Sequence, residues 1–243
     1  MGSMQIKKSV SVLMLFFAIT TTAIAQKDRP WNLQNFDQRK YHFGFILAYN
    51  STTLNIDYIN DNTFNDSILS IEPDRQPGFD LAIVGSLNLT HNINLKFMPG
   101  LAFQDRNIKY TVLESNDTTK LYLKKIESTW LTFPLVLKLR TDRINNFAAY
   151  ALGGYYYSVD MAGNRDVENK GPKTDLTVLM KKHDHGYQVG GGFDFFLPYF
   201  KFGIELKLVN GVRNILLQDN SYFANPLKSV RNRSWVVSLT FEG

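Results

Sequence analysis

Apolar and polar residues alternate with period two along most of the chain after residue 40. Tyr41, Phe43, Phe45, Leu47 and Tyr49 alternate with His42, Gly44, Ile46, Ala48 and Asn50. The same pattern recurs at Phe79–Thr90, Ile93–Gln104, Leu131–Arg140, Tyr187–Phe195, Phe200–Leu208 and Ser234–Glu242. Successive side chains of a strand point to opposite faces, so each segment reads as a strand with one apolar and one polar face. Phe147–Val159 is apolar on both faces, and alternation does not assign its facing. Eight antiparallel strands are predicted. Their connections alternate in length. Short turns fall at Thr90–Asn92, Thr141–Asn146 and around Pro198, and long ones at Ser51–Pro77, Met161–His185 and Arg213–Arg233. Ser115–Thr119 is short but joins two unusually long strands. This is the plan of an eight-stranded transmembrane β-barrel of the outer membrane, with short periplasmic turns and long extracellular loops.

Face chemistry separates this barrel from a soluble one. A soluble barrel has an apolar lumen, whereas a membrane barrel turns its apolar face to lipid. Here one face is Leu, Ile, Phe and Tyr. The other carries Asp80, Lys96, Lys138, Asp194, Lys201, Glu205 and Lys207. These seven are the expected lumen charges. Both signs are present, so each has an available partner, as burial demands. In a barrel of eight strands the side chains fill the lumen, which argues against an open pore.

Composition supports this picture and removes other classes. The 243 residues include 18 Phe, 12 Tyr and 3 Trp, a loading that suits strands and membrane interfaces. There is no Cys, which excludes disulfides and Cys-based metal sites. The formal charge of +5 comes without any run of five like charges, so nucleic-acid binding is not implied. Met1-Gly2-Ser3 reads as a cloning remnant. Residues 4–25 read as a signal peptide: Lys7 and Lys8, an apolar stretch from Val10 to Ile19, and Ala23-Ile24-Ala25 as the cleavage site. Residues 26–40 form a periplasmic N-terminal segment and residues 41–243 the barrel. No later segment is apolar enough for a transmembrane helix.

Candidate chemistry is sparse. His183 and His185 lie on one face of a strand and could chelate a divalent metal, but a solvated loop beside Lys181 and Lys182 is the plainer reading. His42 and His91 sit at the periplasmic end, away from where membrane-barrel hydrolases work. Gly190-Gly191-Gly192 suits close packing in a crowded lumen, and no phosphate loop or nucleophile elbow is present. The acids of the first long loop lack EF-hand spacing. No cofactor, enzymatic activity or small-molecule substrate is expected.

Two surfaces are candidates for partner binding. Trp31, Leu33 and Phe36 are costly to leave in water and should dock, across the barrel mouth or onto a partner. The second is a hairpin arm, Ile93–Leu113 with Leu121–Arg140, about twice the roughly 10 residues a crossing needs. There Ile108, Tyr110 and Val112 fall on the opposite parity from Leu101 and Phe103. A β-bulge at Asp105-Arg106-Asn107 would restore one continuous face and expose all three for docking. The first long loop has Asp57, Asp61, Asp66, Glu72 and Asp74 against Arg75. The last has Arg213, Lys228, Arg231 and Arg233 against Asp219. Barrel closure makes these loops neighbours, and they should attract.

The segment Asn32-Leu33-Gln34-Asn35-Phe36-Asp37-Gln38-Arg39-Lys40-Tyr41-His42-Phe43-Gly44-Phe45 resembles the PorT family. These are outer-membrane β-barrels associated with type IX secretion and gliding motility in Bacteroidetes-type bacteria. Phe133–Lys138 and Tyr150–Gly154 resemble the fourth and fifth strands of the wider barrel superfamily. The resemblance implies a non-enzymatic accessory in protein export, with outer-membrane lipid and other secretion subunits as partners. A structural or adhesive barrel of the OmpX/OmpA kind is the alternative, and an outer-membrane lipid-modifying enzyme a remote third.

Overall fold

The computed structural model describes residues 31–59, 67–114, 118–161, 176–219 and 221–243. The expected signal peptide, residues 4–25, and the positions Asn62, Asn116, Lys170 and Asn220, expected to be extracellular, lie outside the described residues. Ten strands form the sheet: β1 (Tyr41–Tyr58), β2 (Ile68–Asp74), β3 (Gln76–Asn88), β4 (Ile93–Phe97), β5 (Gly100–Leu113), β6 (Thr119–Arg140), β7 (Phe147–Asp160), β8 (His183–Phe196), β9 (Lys201–Gly211) and β10 (Leu227–Glu242). They occupy eight positions in a closed ring, because β2 runs on into β3 and β4 into β5. β1 pairs antiparallel with both β10 and β3, which closes the barrel. The break between β4 and β5 is chemical rather than geometric. Pro99 has no N–H to donate, yet β4 and β5 keep one register against β6, from Ile93↔Leu139 to Gly100↔Thr132.

The apolar face points outward all round the ring. Phe43, Ile83, Leu139, Val189, Leu206 and Val237 are exposed, while Lys96, Lys138, Asp194, Lys201, Glu205 and Lys207 are buried. In lipid, every backbone group must be bonded within the protein, and a closed antiparallel ring achieves that. The structure also assigns β7. Ala151, Tyr155 and Tyr157 face outward, and Tyr150, Leu152 and Tyr156 face the lumen.

The expected bulge at Asp105-Arg106-Asn107 is absent. β5 pairs with β6 in unbroken register from Gly100↔Thr132 to Leu113↔Thr119. The parity change is real and has a different cause. Above the bilayer the exterior is water, so the apolar side chains turn inward there. Ile108, Tyr110 and Val112 are each 0% exposed. The one-residue slip lies on the neighbouring strand instead. Asp74 pairs with Asn107 but Gly78 with Gln104, leaving one extra residue near Arg75–Pro77.

The short turns, the N-terminal segment and Gly243 gather at one end. Asn145 has φ 57°, a left-handed conformation that asparagine tolerates and that tightens the Thr141–Asn146 turn. β6 has 22 residues and spans about 70 Å, so the opposite end projects well past the membrane. On intact cells, an impermeant thiol reagent should label Leu121→Cys, exposed at the projecting end, and leave Asn145→Cys unmodified. Labelling of Asn145→Cys would invert the topology.

Candidate functional site: a lumen closed at both ends

At the periplasmic mouth, residues 31–40 fold back over the opening. Phe36 is 4% exposed and stacks on His42 with ring centroids 3.8 Å apart. It meets Phe196 edge-on and joins Ala148 and Leu33 in a small apolar cluster. The Asp37 carboxylate pairs with Arg140 Nη1 and Arg143 Nε, each at 2.7 Å. The Asn32 backbone N–H donates to Asn146 Oδ1 at 2.8 Å, and its side chain donates to the Phe196 carbonyl at 2.9 Å. Two of the three predicted anchors, Leu33 and Phe36, are therefore spent within the chain. Trp31 stays 52% exposed. Asp37→Asn should leave Arg140 and Arg143 buried beside a neutral amide and loosen this stopper by about 1–3 kcal/mol. Limited proteolysis should then cut near Arg39 faster than in wild type, with the folded barrel unchanged on a semi-native gel. Equal cutting would show that the aromatic contacts hold the segment alone.

Above the stopper lies a plug of opposite charges. Lys96 donates to Glu242 at 2.7 Å, and Lys201 reaches the other oxygen of Glu242 at 2.9 Å. Lys138 contacts both Asp194 oxygens, at 2.9 and 2.7 Å, and its ammonium lies 3.5 Å from the Tyr150 ring centroid. Lys207 pairs with Glu205 at 2.8 Å, and the Tyr150 hydroxyl donates to Glu205 at 3.0 Å. Asn50 donates to Asp80 at 2.6 Å. All seven expected lumen charges thus face inward. The glycine run serves this packing: a Cβ on Gly192 would lie 2.7 Å from the Tyr150 hydroxyl and 2.2 Å from the Ile204 carbonyl.

A chamber of about 90 Å³ follows, lined by Ala102, Gln104, Trp130, Gln188, Asn232 and Ser238 among others. Trp130 Nε1, Gln188 Nε2, Asn232 Oδ1 and Ser238 Oγ make no hydrogen bond within the protein. A chamber of this size has room for several waters, which would satisfy such groups.

An apolar cap closes the extracellular end. Ile108, Tyr110 and Val112 pack with Tyr122, Ile126, Val178, Met180, Ile215, Phe223 and Leu227. Residues 176–180, 214–219 and 221–226 fold inward to supply six of its seventeen buried residues. The Tyr110 hydroxyl donates to the Phe223 carbonyl at 2.9 Å, and burial holds this phenol above its ordinary pKa. Ile108, Tyr110 and Val112 are therefore core residues and not an exposed docking surface. β1 and β10 bring the first and last loops together as expected, and Asp57 pairs with Arg231 at 3.2 Å.

His183 and His185 share the outer face of β8, while Asp184 between them points inward and is fully buried. His183 Nδ1 lies 2.8 Å from the Tyr157 hydroxyl, and His185 lies against the Tyr155 ring. Among the described residues no third His, Cys, Asp or Glu joins them.

Sequence reasoning missed several participants. Glu242 stands on the polar side of the last alternation, and that position marks it as a lumen charge. Arg140 likewise stands on the polar side of its alternation, whereas Asp37 and Arg143 gave no such signal, because they meet only when the N-terminal segment folds back.

None of the curated proteins matches. Among solved structures, the chain is similar to the outer membrane protein OprG from Pseudomonas aeruginosa, at 15% identity and TM-score 0.44, covering 84% of this chain and 94% of that one. It is also similar to Ail, the attachment invasion locus protein of Yersinia pestis, in complex with the heparin analogue sucrose octasulfate (10% identity, TM-score 0.38, 84% and 100% covered). Neisserial surface protein A gives 9% identity and TM-score 0.40, with 82% and 96% covered. A family model described as "Outer membrane protein beta-barrel domain" matches residues 24–217. With an apolar belt around a closed antiparallel ring and a charged interior, the chain belongs to this outer-membrane β-barrel family and is an integral protein of the outer membrane.

Proposed function

We propose that this protein is a non-enzymatic barrel that holds a rigid β-sheet platform above the cell surface, in a structural or adhesive role. The observation that carries the reading is the projecting half of the barrel. β5 and β6 pair without interruption to Leu113↔Thr119, well past the membrane, and a continuous apolar core stiffens them. Building such a core outside the bilayer serves display rather than passage. The interior is blocked by the stopper, the charge plug and the cap, which argues against a diffusion pore. The outward histidines contact tyrosines and not a serine and an acid, which argues against a hydrolase.

A second reading, an accessory of type IX secretion and gliding, rests on the resemblance of Asn32–Phe45. That segment has a role inside its own barrel, since Phe36 and Asp37 close the mouth, so its sequence needs no partner to account for it. Deleting the gene separates the two. The display reading expects reduced surface adhesion or envelope integrity with export unchanged. Loss of specific exported cargo would establish the secretion reading instead.

A further inference from the structure

The lipid-facing wall carries an apolar dent. β7, β8 and β9 form an apolar groove of about 650 Å³, bordered by Ala149, Val189, Phe193, Leu206, Leu208 and Trp235. Its floor is Gly191, the one glycine of the run at Gly190–Gly192 that lies on the outward parity. Gly190 and Gly192 are required by the lumen, where a Cβ would come within 2.3 and 2.2 Å of neighbouring carbonyls. A Cβ on Gly191 would meet the Tyr150 carbonyl at 3.0 Å, a looser contact than at its two neighbours. In its row it is flanked by Ala151 on β7 and Leu206 on β9.

The extracellular end of this groove is polar and cationic. Counting rows along the wall, Val189–Leu208–Trp235 is followed by Tyr187–Asn210–Arg233. Arg233 therefore stands two residues beyond Trp235 on the same outward face. It is exposed, and among the described residues no carboxylate pairs with it, since Asp57 engages Arg231. Arg233 is about 13 Å above the groove floor, four residues of strand rise. Tyr187 and Trp235 flank it, the residue types that occupy the headgroup level.

We infer that the groove and Arg233 form one binding site for a phosphate-bearing lipid of the outer leaflet, with an acyl chain over Gly191 and a phosphate on Arg233. The guanidinium supplies the planar donor fork that fits a phosphate, and the apolar walls below it suit a hydrocarbon chain. An ordinary lipid-facing wall offers the second feature without the first at the right height.

Native mass spectrometry of the purified barrel in detergent tests the site with bis-phosphorylated lipid A as the probe. Wild type should retain one molecule. Arg233→Gln should weaken retention at least tenfold, and Arg233→Lys, which keeps the charge but not the fork, should weaken it by less. Ala149→Leu fills the groove from the lipid side and should also weaken retention. Both positions face outward, so the charge plug and the cap are untouched, and heat-modifiable gel mobility verifies folding. Phosphatidylcholine should be held at least tenfold less tightly, and inorganic pyrophosphate should not compete at equal concentration. Equal retention by Arg233→Gln, equal retention of phosphatidylcholine, or displacement by pyrophosphate would each overturn the proposal. So would a second copy of the barrel occupying the wall with no lipid bound.

Discussion

Replacing Asp194 by asparagine should destabilise the barrel by about 3–5 kcal/mol, because the change strands Lys138 in the lumen. Lys138 is 1% exposed, and both Asp194 oxygens lie within 2.9 Å of its ammonium. Lys201, 4.0 Å from Asp194, is itself a cation, and the nearby carboxylate of Glu242 is already shared by Lys96 and Lys201. A neutral amide of the same shape leaves the packing intact, so the loss reports the uncompensated ion. The double variant Asp194→Asn with Lys138→Met should recover most of that stability, since it removes the stranded charge along with its partner. Urea unfolding in lipid vesicles measures both. If the single and double variants unfold together, the pair adds nothing beyond packing, and water in the lumen carries the charge.

A comparable effect is expected far from the membrane. Ile108→Ala should cost about 2–5 kcal/mol of cap stability, as truncating a fully buried core residue does. The damage should stay local. The barrel wall is held by backbone ladders and lipid, whereas residues 176–180, 214–219 and 221–226 are held by the cap's apolar contacts. Protease should therefore cut these segments several-fold faster in Ile108→Ala, and urea should unfold the membrane ring at an unchanged midpoint. The exposed Leu121→Ala is the matched control, because it removes a similar volume from the outer face of the same arm. Indifference of both loops to Ile108→Ala would mean that they are held by something other than the cap. This outcome would also reopen Ile108 as a surface for partners.

The ring of eight strands was legible because lipid enforces a strict rule. Over the span of the bilayer every outward residue is apolar, and the narrow lumen takes what remains. Phe43, Leu47, Leu137, Val189 and Leu239 follow that rule, and so do Lys96, Lys138 and Lys207 facing the other way. Glu242 obeyed it too and was legible on the same grounds. The rule fails where the solvent changes. At Ile108, Tyr110 and Val112 the alternation continues with the opposite sense, and alternation alone does not distinguish a bulge from a change of surroundings. The unbroken pairing of β5 with β6 distinguishes them. Phe147–Val159 was ambiguous for a related reason. The lumen accepts large apolar and aromatic side chains such as Leu152 and Tyr150 wherever they fit around the charges, so both faces of β7 read alike.

The sequence by itself determined the ring, the facing of its membrane-spanning strands other than β7, the end at which its short turns lie and seven of the charges that had to meet inside. Local pattern carries these because each depends on one residue and the medium beside it. Tertiary structure alone decided which lysine meets which acid and that Asp37 joins Arg140 and Arg143 across 103 residues of chain. It also decided that Phe36 closes one mouth and that two loops fold in to cap the other. These depend on distances between residues remote in sequence, set by barrel closure and strand stagger, and no periodicity along one segment encodes them.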